Sequence, residues 1–137
     1  MSKKTKAATG LGLAALTMKK ADTLAAVEIG TLAMGTSMIA FPRLQAHLDG
    51  VDPNAGATTD LIRGLGFWLT TYGVLLQHVD DEDERERLLM AGAAVGSAFC
   101  LNSLVAAGRK KMTWRGALTN LAMVGTMVGF ACAYLSN

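Results

Sequence analysis

The chain has little of what holds small secreted or metal-binding proteins together. It contains two cysteines, two prolines and two histidines in 137 residues. A disulfide framework needs more cysteines in a loop-rich chain, and a structural metal site needs several Cys or His residues at close spacing. Cys100 and Cys132 both fall in apolar stretches, where free cysteine behaves as a small hydrophobic residue. They therefore predict two buried packing residues and no metal site.

Charge is absent from two long stretches near the end of the chain. Residues 88–108 and 116–135 contain no Asp, Glu, Lys or Arg, and only the short basic segment 109–115 separates them. A helix needs about twenty apolar residues to cross a hydrocarbon core of about 30 Å. A soluble helix would instead carry charge along its wet face. The two stretches therefore predict a transmembrane hairpin.

Two further apolar stretches precede this hairpin. The first contains a single charged residue, Glu28, and ends at Pro42, because proline cannot continue a helix without losing a hydrogen bond. The segment that follows is rich in Gly, Pro, Asn and Asp and predicts a long polar loop over residues 43–60. The chain is thus predicted to be all-α, an integral membrane bundle of four transmembrane helices within one domain, residues 21–137. The predicted spans are about 23–41, 61–79, 88–108 and 116–135.

The beginning of the chain is basic. Residues 1–20 carry five lysines, several hydroxyl residues and no acidic residue. Two interpretations are open. An amphipathic segment could lie at the membrane interface with its lysines on anionic headgroups. An organelle transit peptide has the same basic, hydroxylated and acid-free composition.

Several classes of function find no support in the sequence. The net charge of +2 is small, and no basic, aromatic-interleaved motif indicates nucleic-acid binding. No nucleophile–base–acid set, phosphate-binding loop or pair of carboxylates within a span is present, which argues against an enzyme. A run of acidic residues, 80–86, precedes the third span. It is explained by helix capping and by an Asp81–Arg85 pair at i, i+4, or alternatively by docking of a basic partner.

Glycine spacing predicts close helix packing in the hairpin. Gly92 and Gly96 lie four residues apart in the third span, and Gly125 and Gly129 lie four apart in the fourth. Small residues at this spacing let two membrane helices approach closely. We expect the last two helices to cross with these glycines at the contact.

Polar residues within the spans predict interhelical contacts. Arg63, Thr70 and Gln77 recur at helical spacing on one face of the second span, which should point into the bundle or against another protein. Asn102 and Asn120 in the last two spans are expected to form hydrogen bonds between helices.

Glu28 is the ionisable residue deepest in a predicted span, and such carboxylates are candidates for function. It could pair with a base such as Arg63, titrate as a proton-coupling site, or contact a pigment or partner subunit. The stretch AAVEIGTLAMG, residues 25–35, resembles the first-helix neighbourhood of the small multidrug resistance transporters. That resemblance implies a dimeric transporter in which Glu28 binds substrate and proton in turn.

His78, at the end of the second span, is the other weak candidate for a cofactor ligand, although a lone histidine at a helix end is more often an interface residue. No particular cofactor is indicated beyond a lipid or pigment held at subunit contacts.

Taken together, these features predict a non-catalytic accessory or assembly subunit of a larger membrane complex. Its partners would be other membrane subunits and lipids, and its membrane a mitochondrial inner or thylakoid membrane. The alternatives are a small dimeric proton-coupled transporter using Glu28 and, more weakly, a membrane enzyme acting on a lipid-like substrate.

Overall fold

A computed structural model of the protein describes residues 19–137. The elements of this part of the chain are all helices, which confirms the predicted all-α class. Of the basic segment predicted at residues 1–20, all but the last two residues lie outside the described part. The five helices are α1 Lys20–Ala40, α2 Pro42–Asp49, α3 Thr58–His78, α4 Glu82–Gly108 and α5 Trp114–Ser136.

Three of these helices, α1, α4 and α5, are long and apolar enough to cross a membrane. Large apolar side chains on them face outward, among them Val95, which is 70% exposed, and Leu118, which is 59% exposed. The molecule is thus a helical membrane protein. The fourth predicted span, about 61–79, falls in α3, which has the same length as α1. However, α3 is not apolar enough to count as a span by composition, because Asp60, Arg63 and the polar residues of its last turn interrupt it.

The long helices run alternately up and down. Gly35 of α1 faces Gly66 of α3, whereas Gly73 further along α3 faces Thr31 earlier in α1, so the two helices are antiparallel. α1 also packs against α5, which packs against α4. All four long helices contribute to one core cluster of buried side chains: Val27, Leu76, Leu89, Ala131 and Tyr134.

The bundle has two ends of different charge. The acidic end comprises residues 19–22 and 78–87, with the end of α5. The basic end comprises residues 40–63 and 108–116.

The segment predicted as a loop at residues 43–60 begins instead with a helix. Pro42 lies at the first position of α2, where its fixed φ suits a helix and its missing N–H leaves no hydrogen bond unmade. Gly50 then ends α2 with a φ of 68°, which glycine adopts without steric cost. Ala46 of α2 packs with Met38 and Ile62 in a second core cluster, so α2 is fastened to the basic end of the bundle.

Candidate functional site

Glu28 lies half-buried in α1. Arg63, one of its predicted partners, is found elsewhere: its Nε donates to the carbonyl oxygen of Ile39 at 3.4 Å. Eleven residues of helix separate Glu28 from Ile39, which is roughly 16 Å along the axis. The hypothesis of a Glu28–Arg63 pair is therefore wrong, because the two residues lie toward opposite ends of the bundle.

The polar face of α3 divides between the bundle and the outside. Thr70 lies in the contact with α1 and donates its hydroxyl to the carbonyl oxygen of Gly66 at 2.8 Å. The side chains of Arg63 and Gln77, toward the two ends of the same face, are exposed. The face thus provides a packing surface in its middle and polar groups at its ends.

The predicted glycine contacts of α4 and α5 differ in outcome. A β-carbon added at Gly96 would lie 2.6 Å from Cγ2 of Val128 in α5, and one at Gly92 would lie 2.7 Å from Cζ of Tyr72 in α3. One added at Gly125 or Gly129 would meet no atom of the described residues within 4 Å. The expected contact between α4 and α5 was therefore wrong for Gly92, which faces α3, and for Gly125 and Gly129, since α5 instead turns its valines toward Gly96.

His78 and the cysteines do not assemble a ligand site. A ring nitrogen of His78 lies 2.8 Å from the carbonyl oxygen of Val74 in its own helix. Cys100 is half-buried and Cys132 is exposed, so the prediction that both are buried was wrong. Within residues 19–137, no three His, Cys, Asp or Glu side chains are grouped to hold a metal ion.

At the acidic end, Glu82 joins three helices. Its carboxylate lies 3.0 Å from Nζ of Lys20 in α1 and 2.6 Å from Nη1 of Arg85. The hydroxyl of Tyr134, near the end of α5, donates to the same carboxylate at 2.6 Å. Arg85 therefore pairs with Glu82 rather than with the predicted Asp81, whose side chain caps α4 by accepting from the backbone N–H of Glu84. Sequence spacing found the cap but not the junction, because Glu82 and Tyr134 are distant in the chain.

A buried carboxyl lies at the basic end. Asp49, the last residue of α2, is 9% exposed and accepts a hydrogen bond from Nε2 of Gln45 at 2.8 Å. Burial raises the pKa of Asp49 to about 6, although the hydrogen bond from Gln45 acts in the opposite direction. Burying a charged group without full compensation disfavours its ionised form.

Because of this carboxyl, we expect the thermal stability of the parent protein and that of Asp49→Asn to depend differently on pH. Because the pKa of Asp49 is higher in the folded state, the folded state binds more protons than the unfolded state between about pH 4 and pH 6. Its ionisation therefore lowers stability as the pH rises through this window. The amide of the variant keeps an acceptor for Gln45 but does not ionise. We expect Asp49→Asn to unfold at a higher temperature than the parent at pH 7 and at a similar temperature at pH 4, in thermal scans in neutral detergent. Parallel pH profiles of the two proteins would contradict this.

The outer surface of α4 combines small residues with an amide. Three alanines and Asn102 lie along its middle and are all exposed. By contrast, Asn120 of α5 is buried and donates from Nδ2 to Oγ of Ser103 in α4 at 3.3 Å, as expected for a hydrogen bond between helices. We call the exposed residues the α4 outer face: Ala91, Ala94, Ala98 and Asn102.

Comparison of the chain with family models, with curated proteins and with solved structures found no match. The described residues provide a membrane bundle closed by a polar junction at its acidic end, a buried carboxyl at its basic end and an outer helix face with a polar group in it.

Proposed function

We propose that the protein is a non-catalytic accessory subunit of a larger membrane complex and that it binds its partner through the α4 outer face. One observation carries this proposal: α4 is the least enclosed of the three apolar helices. In an apolar stretch of 18 residues in α4, 11% of the residues are buried in the bundle, against 28% in the corresponding stretch of α1 and 22% in that of α5. Most of α4 is thus available to another helix.

The chemistry of the face supports a protein partner over lipid alone. Ala94 and Ala98 lie four residues apart, and small residues at this spacing allow close backbone approach. Asn102 lies well inside the charge-free stretch of α4. Polar groups at membrane depth are costly when they face hydrocarbon and generally pair within protein. A partner helix that packs on the alanines could hydrogen-bond with this amide.

The proposal includes α3 as a fourth membrane span. Outward-facing apolar side chains run along it, among them Leu61 at 68%, Trp68 at 76% and Leu75 at 51% exposure. Its charged residues Asp60 and Arg63 lie in its first two turns, where an arginine side chain can extend to the headgroups. Packing against α1 over its length would keep α3 at the same depth.

The proposed host is a mitochondrial inner or thylakoid membrane. This part of the proposal rests on the sequence of residues 1–20, which is basic, hydroxylated and free of acidic residues. Fluorescent tagging of the C-terminus in the native cell would test it, since the tag should accumulate in that organelle. A signal confined to the plasma membrane would contradict it.

Purification from native membranes in mild detergent tests the subunit proposal. We expect the parent protein to migrate in a large assembly and Ala98→Leu and Asn102→Leu to lower the assembled fraction about tenfold, because both disturb a close helix contact. The matched controls are Ala122→Leu and Thr126→Leu on the exposed side of α5, which should assemble like the parent. Equal assembly of all four variants would contradict docking through α4.

A small dimeric proton-coupled transporter is the second candidate. The observation that favours it is Glu28, which is half-buried within the apolar helix α1. No ion pair between residues 19 and 137 includes its carboxylate. The same purification separates the two candidates, because a lone dimer with no other subunit would favour the transporter.

A further inference from the structure

An apolar groove lies at the basic end, where α1, α2 and α5 meet. Its volume is about 270 Å³. The lining contains one hydroxyl and one amide, but it is otherwise apolar and open to the outside of the bundle. The apolar lining residues are Ala33, Met34, Phe41, Leu44, Leu48 and Met123.

Helix α2 is divided into three faces. One face is buried against the bundle and includes Ala46. A second is apolar but exposed, with Leu44 at 56% and Leu48 at 42%. The third carries Arg43 and His47, both exposed. A helix that follows directly on a membrane span and divides its surface in this way is typical of the headgroup region, where its apolar side contacts acyl chains and its polar side contacts water.

The charge of this end suits an anionic membrane surface. Residues 40–63 and 108–116 carry six basic and three acidic side chains, whereas residues 19–22 and 78–87 at the acidic end carry four basic and seven acidic ones. Residues 109–115, which join α4 to α5 and include the first two residues of α5, supply four exposed basic residues and Trp114, which is 57% exposed. Tryptophan is enriched at membrane interfaces. The four basic residues are Arg109, Lys110, Lys111 and Arg115.

The groove and the basic segment adjoin one another. The backbone N–H of Thr113 donates to the carbonyl oxygen of Gly50 at 3.4 Å. The carbonyl of Asp49 lies against Gly116, the third residue of α5. The Leu48 end of the groove is therefore next to the turn of chain that carries Lys111 and Arg115.

From this arrangement we propose that the basic end binds an anionic phospholipid, with an acyl chain in the groove and the phosphate on the segment 109–115. A phospholipid joins an acyl chain to a phosphate at the headgroup depth, and this surface presents the matching apolar and cationic parts side by side. Each basic residue near a membrane surface contributes to attraction of an anionic headgroup. This inference goes beyond the proposed subunit function and does not depend on any protein partner.

Thermal unfolding of the purified full chain in a neutral detergent tests the ligand class. We expect phosphatidylglycerol to raise the unfolding temperature saturably, whereas phosphatidylcholine and glycerol phosphate should leave it nearly unchanged. Equal stabilisation by phosphatidylcholine would show general solvation by lipid and overturn the proposal. Stabilisation by glycerol phosphate alone would show a site for a free anion, and stabilisation by a polyglutamate peptide would show a surface for an acidic protein. Either result would also overturn it.

Variants locate the site. We expect Lys111→Gln and Arg115→Gln each to weaken the apparent affinity for phosphatidylglycerol about fivefold, and Ala33→Leu to weaken it by filling the groove. The matched controls are Arg87→Gln and Ala21→Leu, both at the acidic end, which should bind like the parent. All five side chains are exposed, so these substitutions should leave the fold intact. Only variants that unfold at the parent temperature without lipid are compared. If the three site variants bind like the controls, phosphatidylglycerol does not bind at this site.

Discussion

Replacement of Gly35 by alanine is expected to weaken the contact between α1 and α3 and to lower the free energy of unfolding by more than about 2 kcal/mol. A β-carbon at this position would lie 2.7 Å from the backbone nitrogen of Thr70 and 2.8 Å from the carbonyl oxygen of Gly66. Both atoms belong to the backbone of α3, so no side-chain rotamer can relieve the overlap. The helices would have to move apart.

The sign of this change makes it diagnostic. Alanine favours a helix over glycine by roughly 0.5–1 kcal/mol where nothing opposes it. Gly64 is a suitable control because a β-carbon there would meet no atom of residues 19–137 within 4 Å, so Gly64→Ala should raise the stability slightly. Urea unfolding in detergent, followed by circular dichroism, measures both changes. A Gly35→Ala protein as stable as the parent would show that α1 and α3 are not in backbone contact.

The positions of the long helices could be predicted because they depend on local sequence. Each of the predicted spans matches one long helix of the structure. The C-terminal ends agree to within one residue, whereas the helices begin two to six residues before the predicted spans. Runs without charge, such as the stretch after Arg87, mark what a hydrocarbon environment tolerates. The six additional residues at the start of α4 include four acidic ones, which favour a helix N-terminus and which hydropathy does not detect.

The direction in which each face points could not be predicted. Gly96 and Gly125 have the same small-residue spacing, yet a β-carbon at Gly96 would meet Val128, whereas one at Gly125 would meet no atom of residues 19–137 within 4 Å. Periodicity shows that a face is small but not which neighbour it meets, since that depends on how all the helices pack. The same reason explains why two asparagines in similar sequence contexts differ in burial. Asn102 is exposed, whereas Asn120 is buried.

Contacts between distant residues were also beyond the sequence. The junction of Glu82 with Lys20 and Tyr134 joins residues from three helices, and no spacing rule connects them.

Pro42 led to the wrong prediction of a loop after α1 for a different reason. A proline after an apolar run indicates the end of one helix, but it is equally suited to begin the next.

Gly116 is the second position at which alanine should be poorly tolerated. We expect Gly116→Ala to change both the free energy of unfolding and the pKa of Asp49. A β-carbon on this buried residue would overlap the carbonyl group of Asp49 and lie 2.9 Å from the backbone nitrogen of Gly50. α2 would have to move away from α5, at a cost of more than about 2 kcal/mol. The movement would also expose the carboxyl of Asp49, so its pKa should fall toward the ordinary value for an aspartate.

The matched control is Gly108→Ala at the other side of the same connection, because a β-carbon at Gly108 would meet nothing within 4 Å in the part of the chain that the structure describes. This variant should be as stable as the parent. Its stability should also fall between about pH 4 and pH 6, as that of the parent does. Gly116→Ala should be less stable at every pH and should lose that fall, because Asp49 then titrates alike in the folded and unfolded states. A Gly116→Ala protein that is destabilised but keeps the parent's pH profile would show that α2 stays in place and that the raised pKa does not depend on its contact with α5.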